Sequence, residues 1–173
     1  FMLFYAFYIC ARPQALSEPV RSCGVEGTLY KELGDPEGIG LLLFSEDPNL
    51  LAGPAREMLA REPFSELAFK PEFAMIGRTY ASGYEENLED HLIRRPRRLA
   101  LDPATPWAVW YPLRRKGEFS RLPEEDQRRI LGEHSAIGRS YGMGGYAADI
   151  RLACHGLDKH DNDFVIGLVG AEL

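Results

Sequence analysis

Two stretches of this chain run through the same order of elements, and that repetition limits its possible folds more than any other feature. From Trp107 to Val169 the pattern reads strand, helix, strand, strand, and the first hundred residues repeat that grammar. In the first half, residues 1–10 predict a buried strand and Thr28–Leu33 a weaker one. Gly38–Phe44 (GIGLLLF) is a short apolar run between turn signals, the pattern of a strand buried on both faces. Leu50–Arg61 predicts a helix with Leu51, Ala55, Met58 and Leu59 on one face, ended by Pro63. Phe73–Ala81 reads as extended, and Gly83–Leu92 as a short polar segment of some helical character.

In the second half, Trp107–Arg114 is a strand with aromatic residues at 107, 110 and 111. Leu122-Pro123-Glu124-Glu125 opens a helix, with proline in its first turn and acidic groups at the positive end of the dipole. Its stripe Ile130, Leu131, His134, Ile137, Gly138, Tyr141 has the spacing of one buried face, and Gly142, Gly144 and Gly145 terminate it. Ala147–Cys154 and Phe164–Val169 are further strands, joined by the polar turn Asp158–Asp163. Such a pair of halves predicts an α+β fold of duplicated ferredoxin-like units, an N-terminal half over 1–100 and a C-terminal half over 101–173. The chain starts at Phe1 and stops at Leu173 directly after a strand-like run, so the second unit is expected to be incomplete and the protein to extend further.

With 45% hydrophobic and 27% charged residues, 173 residues can bury a real core. A net charge of −6 argues against a nucleic-acid partner, since that affinity rests on clustered cations. The run Arg94-Arg95-Pro96-Arg97-Arg98 is the exception, read as a solvated surface segment or a contact for a carboxylate-bearing ligand. Cys10, Cys23 and Cys154 match no disulfide or metal spacing, which points to a reducing, cytoplasmic setting. The apolar opening FMLFYAFYI is too short to span a membrane.

A lone histidine on an apolar helix face is, from spacing alone, most often a core residue with satisfied ring nitrogens. The functional alternative for His134 is a metal ligand. Zinc fits poorly, because no second His or Cys lies one turn away and His155 and His160 show no ligand spacing. Haem iron needs only one axial protein ligand, so a single imidazole in an apolar wall suits haem better than a bare ion. Tyr111 reads either as a strand tyrosine with a wet hydroxyl or as a phenol able to meet a haem propionate. Arg114, Arg115 and Lys116 follow it and could neutralise propionates. No nucleophile elbow, P-loop, zincin motif or dinucleotide fingerprint competes.

Residues 73–170 contain Arg78-Thr79-Tyr80, Tyr111-Pro112-Leu113, Leu122-Pro123-Glu124-Glu125, Glu133-His134, Ile137-Gly138-Arg139-Ser140-Tyr141 and Gly156-Leu157-Asp158. With these motifs the segment resembles the chlorite dismutase-like haem proteins, and among them the coproheme decarboxylase branch. The resemblance implies a dimeric α/β barrel type of fold, a ring-shaped homopentamer, and haem b or coproheme held by His134 as proximal ligand. In that branch hydrogen peroxide oxidises the bound coproheme, and the tyrosine matching Tyr111 relays the radical to a propionate that leaves as carbon dioxide. Two propionates become vinyl groups in this way. Arg115 stands where lysine is usual, and Arg114, Lys116, Arg151 and Ile137 are the further residues expected against the porphyrin.

The distal residue, which separates the family's activities, stays open. Counting forward from His134 reaches Ala147, and counting back from Gly156 reaches Asp149, with Arg151 on the same strand face. The loop between Tyr111 and His134 is also shorter than is usual there. The leading expectation is peroxide-dependent decarboxylation of coproheme. Chlorite dismutation, a weak peroxidase or catalase activity, and non-catalytic haem binding are the alternatives.

Overall fold

A computed structural model describes residues 1–83, 85–157 and 159–173. Tyr84, in the expected polar segment, and Asp158, which opens the expected turn and closes the Gly156-Leu157-Asp158 motif, lie outside the described residues. The described strands, in chain order, are β1 (Met2–Tyr8), β2 (Glu26–Lys31), β3 (Ile39–Phe44), β4 (Ala68–Phe69), β5 (Met75–Thr79), β6 (Trp107–Leu113), β7 (Ala148–Ala153) and β8 (Phe164–Gly170). The pairings are antiparallel. They run β2-β3-β1-β5-β7-β8-β6, with β4 alongside β1. The fold is therefore α+β, and its two stretches share a topology: the third strand lies between the first two in β2-β3-β1 and again in β7-β8-β6.

β3 shows why its sequence is unbroken in hydrophobicity. All six of its residues are buried, and alternate ones enter two different cores. Ile39, Leu41 and Leu43 join Leu3 and Phe7 of β1 beneath the helices, whereas Leu42 and Phe44 turn the other way with Met2. That second core also takes Ile150 and Leu152 of β7 and Val165 and Val169 of β8, so the two stretches meet back to back. Phe4 of β1 stacks on Trp110 of β6 there, with ring centroids 6.1 Å apart. Gly167 makes room for that indole: a Cβ on it would stand 2.6 Å from the ring.

The first core is closed by helical segments. Residues 48–59 form the expected helix, capped by Asp47, whose carboxylate accepts from the Asn49 N–H at 2.9 Å. Pro54 lacks an N–H, and the ladder widens into a π turn over Leu51–Ala55 around it. Leu51, Ala55 and Met58 are buried. The stretch after β1 folds as Pro13–Leu16 and Ser17–Ser22 and buries Leu16 and Val20.

One expectation holds and one is corrected. The arginine run is a surface segment, and it is helical: Asp90–Arg94 turns into Arg95–Leu101, burying Pro96 and Ala100 while Arg94, Arg97 and Arg98 stay exposed. Its cations have carboxylate partners, Arg94 with Glu89, Arg95 with Asp149, Arg97 with Glu26 and Arg98 with Asp90, which is how so dense a run is accommodated. The helix carrying His134 spans Glu124–Met143, with Pro123 at its N-cap instead of in its first turn, and its apolar stripe is not buried. Ile130, Leu131, Ile137 and Tyr141 are 37–60% exposed, although the helix meets β7. Its own ion pairs support it, Arg129 bridging Asp126 and Glu133 at 3.3 Å each. Gly145, at φ 74°, then turns the chain into β7 in a conformation that favours glycine.

Candidate functional site

Side-chain alternation gives β6, β7 and β8 two faces. Trp110, Ile150, Leu152, Val165 and Val169 enter the second core. The opposite, outer face carries Val109, Tyr111, Ile166, Leu168, Asp149 and Arg151, and none of these is buried. In β1–β3 the corresponding outer face lies beneath the helices at 17–22 and 48–59. In β6–β8 it is open, as is the apolar stripe of the helix at 124–143. Two largely exposed apolar surfaces stand in one half of the molecule.

Register sets the chemistry of that face. Tyr111 and Arg151 are both directly opposite Ile166, one from each side. Phenol and guanidinium therefore belong to one row, their strands about 10 Å apart. β5 pairs with β7 so that Thr79 faces Leu152, and continuing that register brings Tyr80 beside Arg151. The guanidinium of Arg151 lies 5.9 Å from the centre of the Tyr80 ring. Asp149 holds it from the other side, with Arg151 Nε 3.1 Å from Oδ2. Arg95 reaches across from its helix to the same residue, donating to the Asp149 carbonyl at 2.8 Å and lying 3.4 Å from Oδ1.

The basic segment after β6 is tied down at its backbone. Arg115 N–H donates to Asp163 Oδ2 at 2.6 Å, and Arg114 donates to the His160 carbonyl. The Arg115 guanidinium lies over two rings, 4.8 Å from the centre of Phe164 and 5.4 Å from that of Phe119. Lys116 caps the short helix Gly117–Arg121, its carbonyl accepting from the Phe119 N–H at 3.0 Å.

Of the residues singled out from the sequence, the structure gathers Tyr111 and Arg151 on one face and sets Arg115 at its rim through Phe164. Arg114 and Lys116 are exposed beside that rim. His134 and Ile137 are exposed on the helix and are not brought onto the face. Among the three candidates for the distal position, Asp149 and Arg151 lie on the outer face by register, and Ala147 precedes β7. Sequence reasoning missed the Arg95–Asp149 contact and the part played by Tyr80 and Phe164. No local signal could have shown either, since both depend on which strands are neighbours.

A haem-sized planar group needs apolar walls, an axial donor and cations for its carboxylates. The open sheet face, the helix stripe with one imidazole, and Arg114, Arg115 and Arg151 are of those kinds. Among the described residues no three His, Cys, Asp or Glu side chains are grouped to hold a bare metal ion, and no helix is long and apolar enough to cross a membrane.

Comparison with known proteins gives this arrangement a family. The chain belongs to the chlorite dismutase family, whose model matches residues 30–173. Among solved structures it is similar to a heme-binding protein from Thermus thermophilus, at 17% identity and a TM-score of 0.71, over 99% of this chain and 77% of that one. It is likewise similar to a protein provisionally assigned as a chlorite dismutase, at 16% identity and a TM-score of 0.74, covering 99% and 79%. A mutant chlorite dismutase from Candidatus Nitrospira defluvii matches at 15% identity and a TM-score of 0.70, covering 99% and 76%. At such identities the likeness is one of fold. No curated protein matches the sequence.

Proposed function

We propose that this chain binds an iron porphyrin between the outer face of β6–β8 and the helix at 124–143, and that it decarboxylates coproheme with hydrogen peroxide as oxidant. The observation that carries this reading is the open outer face with Tyr111 and Arg151 in one row. When bound, the porphyrin iron supplies the chemistry that lets peroxide withdraw electrons. His134 holds the iron through a ring nitrogen. The apolar residues of the stripe and of the sheet exclude water from the ring between them. Arg115, with Arg114 and Lys116 beside it, orients carboxylates at the rim.

Tyr111 does the relay. Its Oη can give up a proton and an electron and then take a hydrogen atom from a propionate side chain. Each propionate and one peroxide, with one proton, give a vinyl group, carbon dioxide and two waters. We also infer two ferredoxin-like halves, 1–100 and 101–173, related by duplication, and a homopentamer. The shared order β2-β3-β1 and β7-β8-β6 supports the first of these. Arg151 on the outer face favours a second reading, chlorite dismutation, since a cation there can hold a hypohalite oxygen.

The test is to titrate coproheme and protohaem separately, add peroxide, and follow the porphyrin mass. Stepwise loss of two carboxyl groups is expected. Intact coproheme after many equivalents, with oxygen released from chlorite, supports the second reading. Porphyrin binding with neither reaction leaves a binding protein.

A further inference from the structure

We propose that Tyr80 and Phe164 are positioning residues: their packed rings hold Arg151 and Arg115 as a fixed pair of cations, set to receive two carboxylates of one planar ligand. The inference rests on the porphyrin reading above and names what selects among porphyrins.

The contacts form one continuous ladder. The Arg151 guanidinium lies 5.9 Å from the Tyr80 ring centre, Tyr80 and Phe164 pack with centroids 5.6 Å apart, and the Arg115 guanidinium lies 4.8 Å from Phe164. His155 closes the far side of Phe164 edge-on at 5.4 Å. Cation–π pairs occur about once per 70–80 residues and are usually scattered. Here three of the four among the described residues fall on this one rim. Phe164 shares its row with Ala153 and Leu113, next to the row of Arg151, Ile166 and Tyr111, so the ladder borders the outer face. Among the described residues Arg115 has no carboxylate partner for its guanidinium, and Arg151 has only Asp149.

Long arginine side chains lose rotamer freedom when they meet a ligand. Rings that hold both guanidinium groups beforehand reduce that loss, and the fork of each then faces carboxylates with two N–H donors. A porphyrin with carboxylates on more of its edge gains from both cations, and one with fewer gains from one. The ladder thus selects by carboxylate number, independently of the iron.

Iron-free porphyrins test this without the axial ligand. Coproporphyrin III, with four propionates, and protoporphyrin IX, with two, are titrated by fluorescence, and the ratio of their Kd values is the readout. The wild type should prefer coproporphyrin. Arg115→Gln and Arg151→Gln should each reduce that preference about tenfold, the loss of one charge-assisted pair. Tyr80→Leu should reduce it about threefold and Tyr80→Phe should restore it, because the ring and not the hydroxyl holds Arg151. A ratio in Tyr80→Leu equal to the wild type, or in Tyr80→Phe as low as in Tyr80→Leu, overturns the proposal while the porphyrin site stands. A wild type that binds neither porphyrin nor hemin overturns both.

Discussion

Arg95 Nη1 donates to the backbone carbonyl of Asp149 at 2.8 Å, fastening the helix at 90–101 onto β7. The same guanidinium lies 3.4 Å from the carboxylate that holds Arg151. One cation of the arginine run therefore fixes both a tertiary contact and the setting of a site residue. Arg95→Met should lower stability by about 1–2 kcal/mol, the worth of a charged hydrogen bond whose acceptor keeps partial access to water. Thermal denaturation would show this as a drop of about 2–8 °C. An unchanged melting temperature would mean that helix and strand associate through apolar contacts alone.

His134 is exposed on a helix that its own ion pairs support. Replacing it should therefore separate ligand binding from folding. His134→Ala should melt within about 0.5 kcal/mol of the wild type, as exposed substitutions do, yet hemin added to it should lack the spectrum of an axial histidine. Survival of that spectrum would move the ligand to another residue.

Tyr111 is half-buried, with its ring on the outer face and Ile166 beside it. Tyr111→Phe keeps the ring and removes only the group that can pass an electron and a proton. Coproheme should bind to it as to the wild type, and peroxide should leave all its carboxyl groups in place by mass spectrometry. Decarboxylation at the wild-type rate would exclude Tyr111 as the relay.

What was legible in the sequence follows from how local each cause is. The unbroken run of β3, the Asp47-capped helix with Leu51, Ala55 and Met58 inward, and the glycine-terminated helix after Pro123 are set by neighbours in the chain. The apolar stripe around His134 was equally clear as a pattern, but a pattern states only which residues share a face, not what covers it. The helix at 90–101 was hidden because Pro96 and Ala100 are its buried contacts while arginines fill the positions between. The carboxylates that pair with Arg97 and Arg95, on Glu26 and Asp149, lie 71 and 54 residues away in the chain. The row of Tyr111, Ile166 and Arg151 likewise needed the register of three strands.

Lys70 is 1% exposed, and its ammonium sits 2.5 Å from Glu32, 2.8 Å from Asp35 and 4.0 Å above the Tyr8 ring. Burial alone would lower its pKa, but the two carboxylates more than offset that and raise it. The Asp35 carboxyl is lowered, first by its hydrogen bond from Lys70 and then by the Glu37 N–H. A lowered carboxyl gives stability that is present above the ordinary carboxylate range and lost as the pH falls through it. Lys70→Met leaves two carboxylates facing an apolar group and should cost about 2–4 kcal/mol by chemical denaturation at neutral pH. It should also flatten the acid limb of the stability curve. An acid limb unchanged in Lys70→Met would place the acid sensitivity elsewhere.

Tyr30 gives the opposite limb. Its hydroxyl and the Trp110 indole N–H are both buried, and among the described residues neither makes a hydrogen bond. Burial pushes the phenol up to about 12, with the Trp110 indole beside it acting in the opposite direction. The unfolded chain loses this proton near pH 10, the folded one two units later, so between those values the unfolded state binds fewer protons. The stability contributed is complete below pH 10 and drains away as the pH rises towards 12, amounting to about 2–3 kcal/mol. Tyr30→Phe removes the titrating group and a buried hydroxyl that lacks a partner. It should equal or exceed the wild type in stability at neutral pH, and it should keep that stability across pH 10–12 while the wild type loses it. Urea denaturation at pH 8 and pH 11 decides the matter: equal alkaline losses in both proteins would mean that Tyr30 ionises as freely in the fold as outside it.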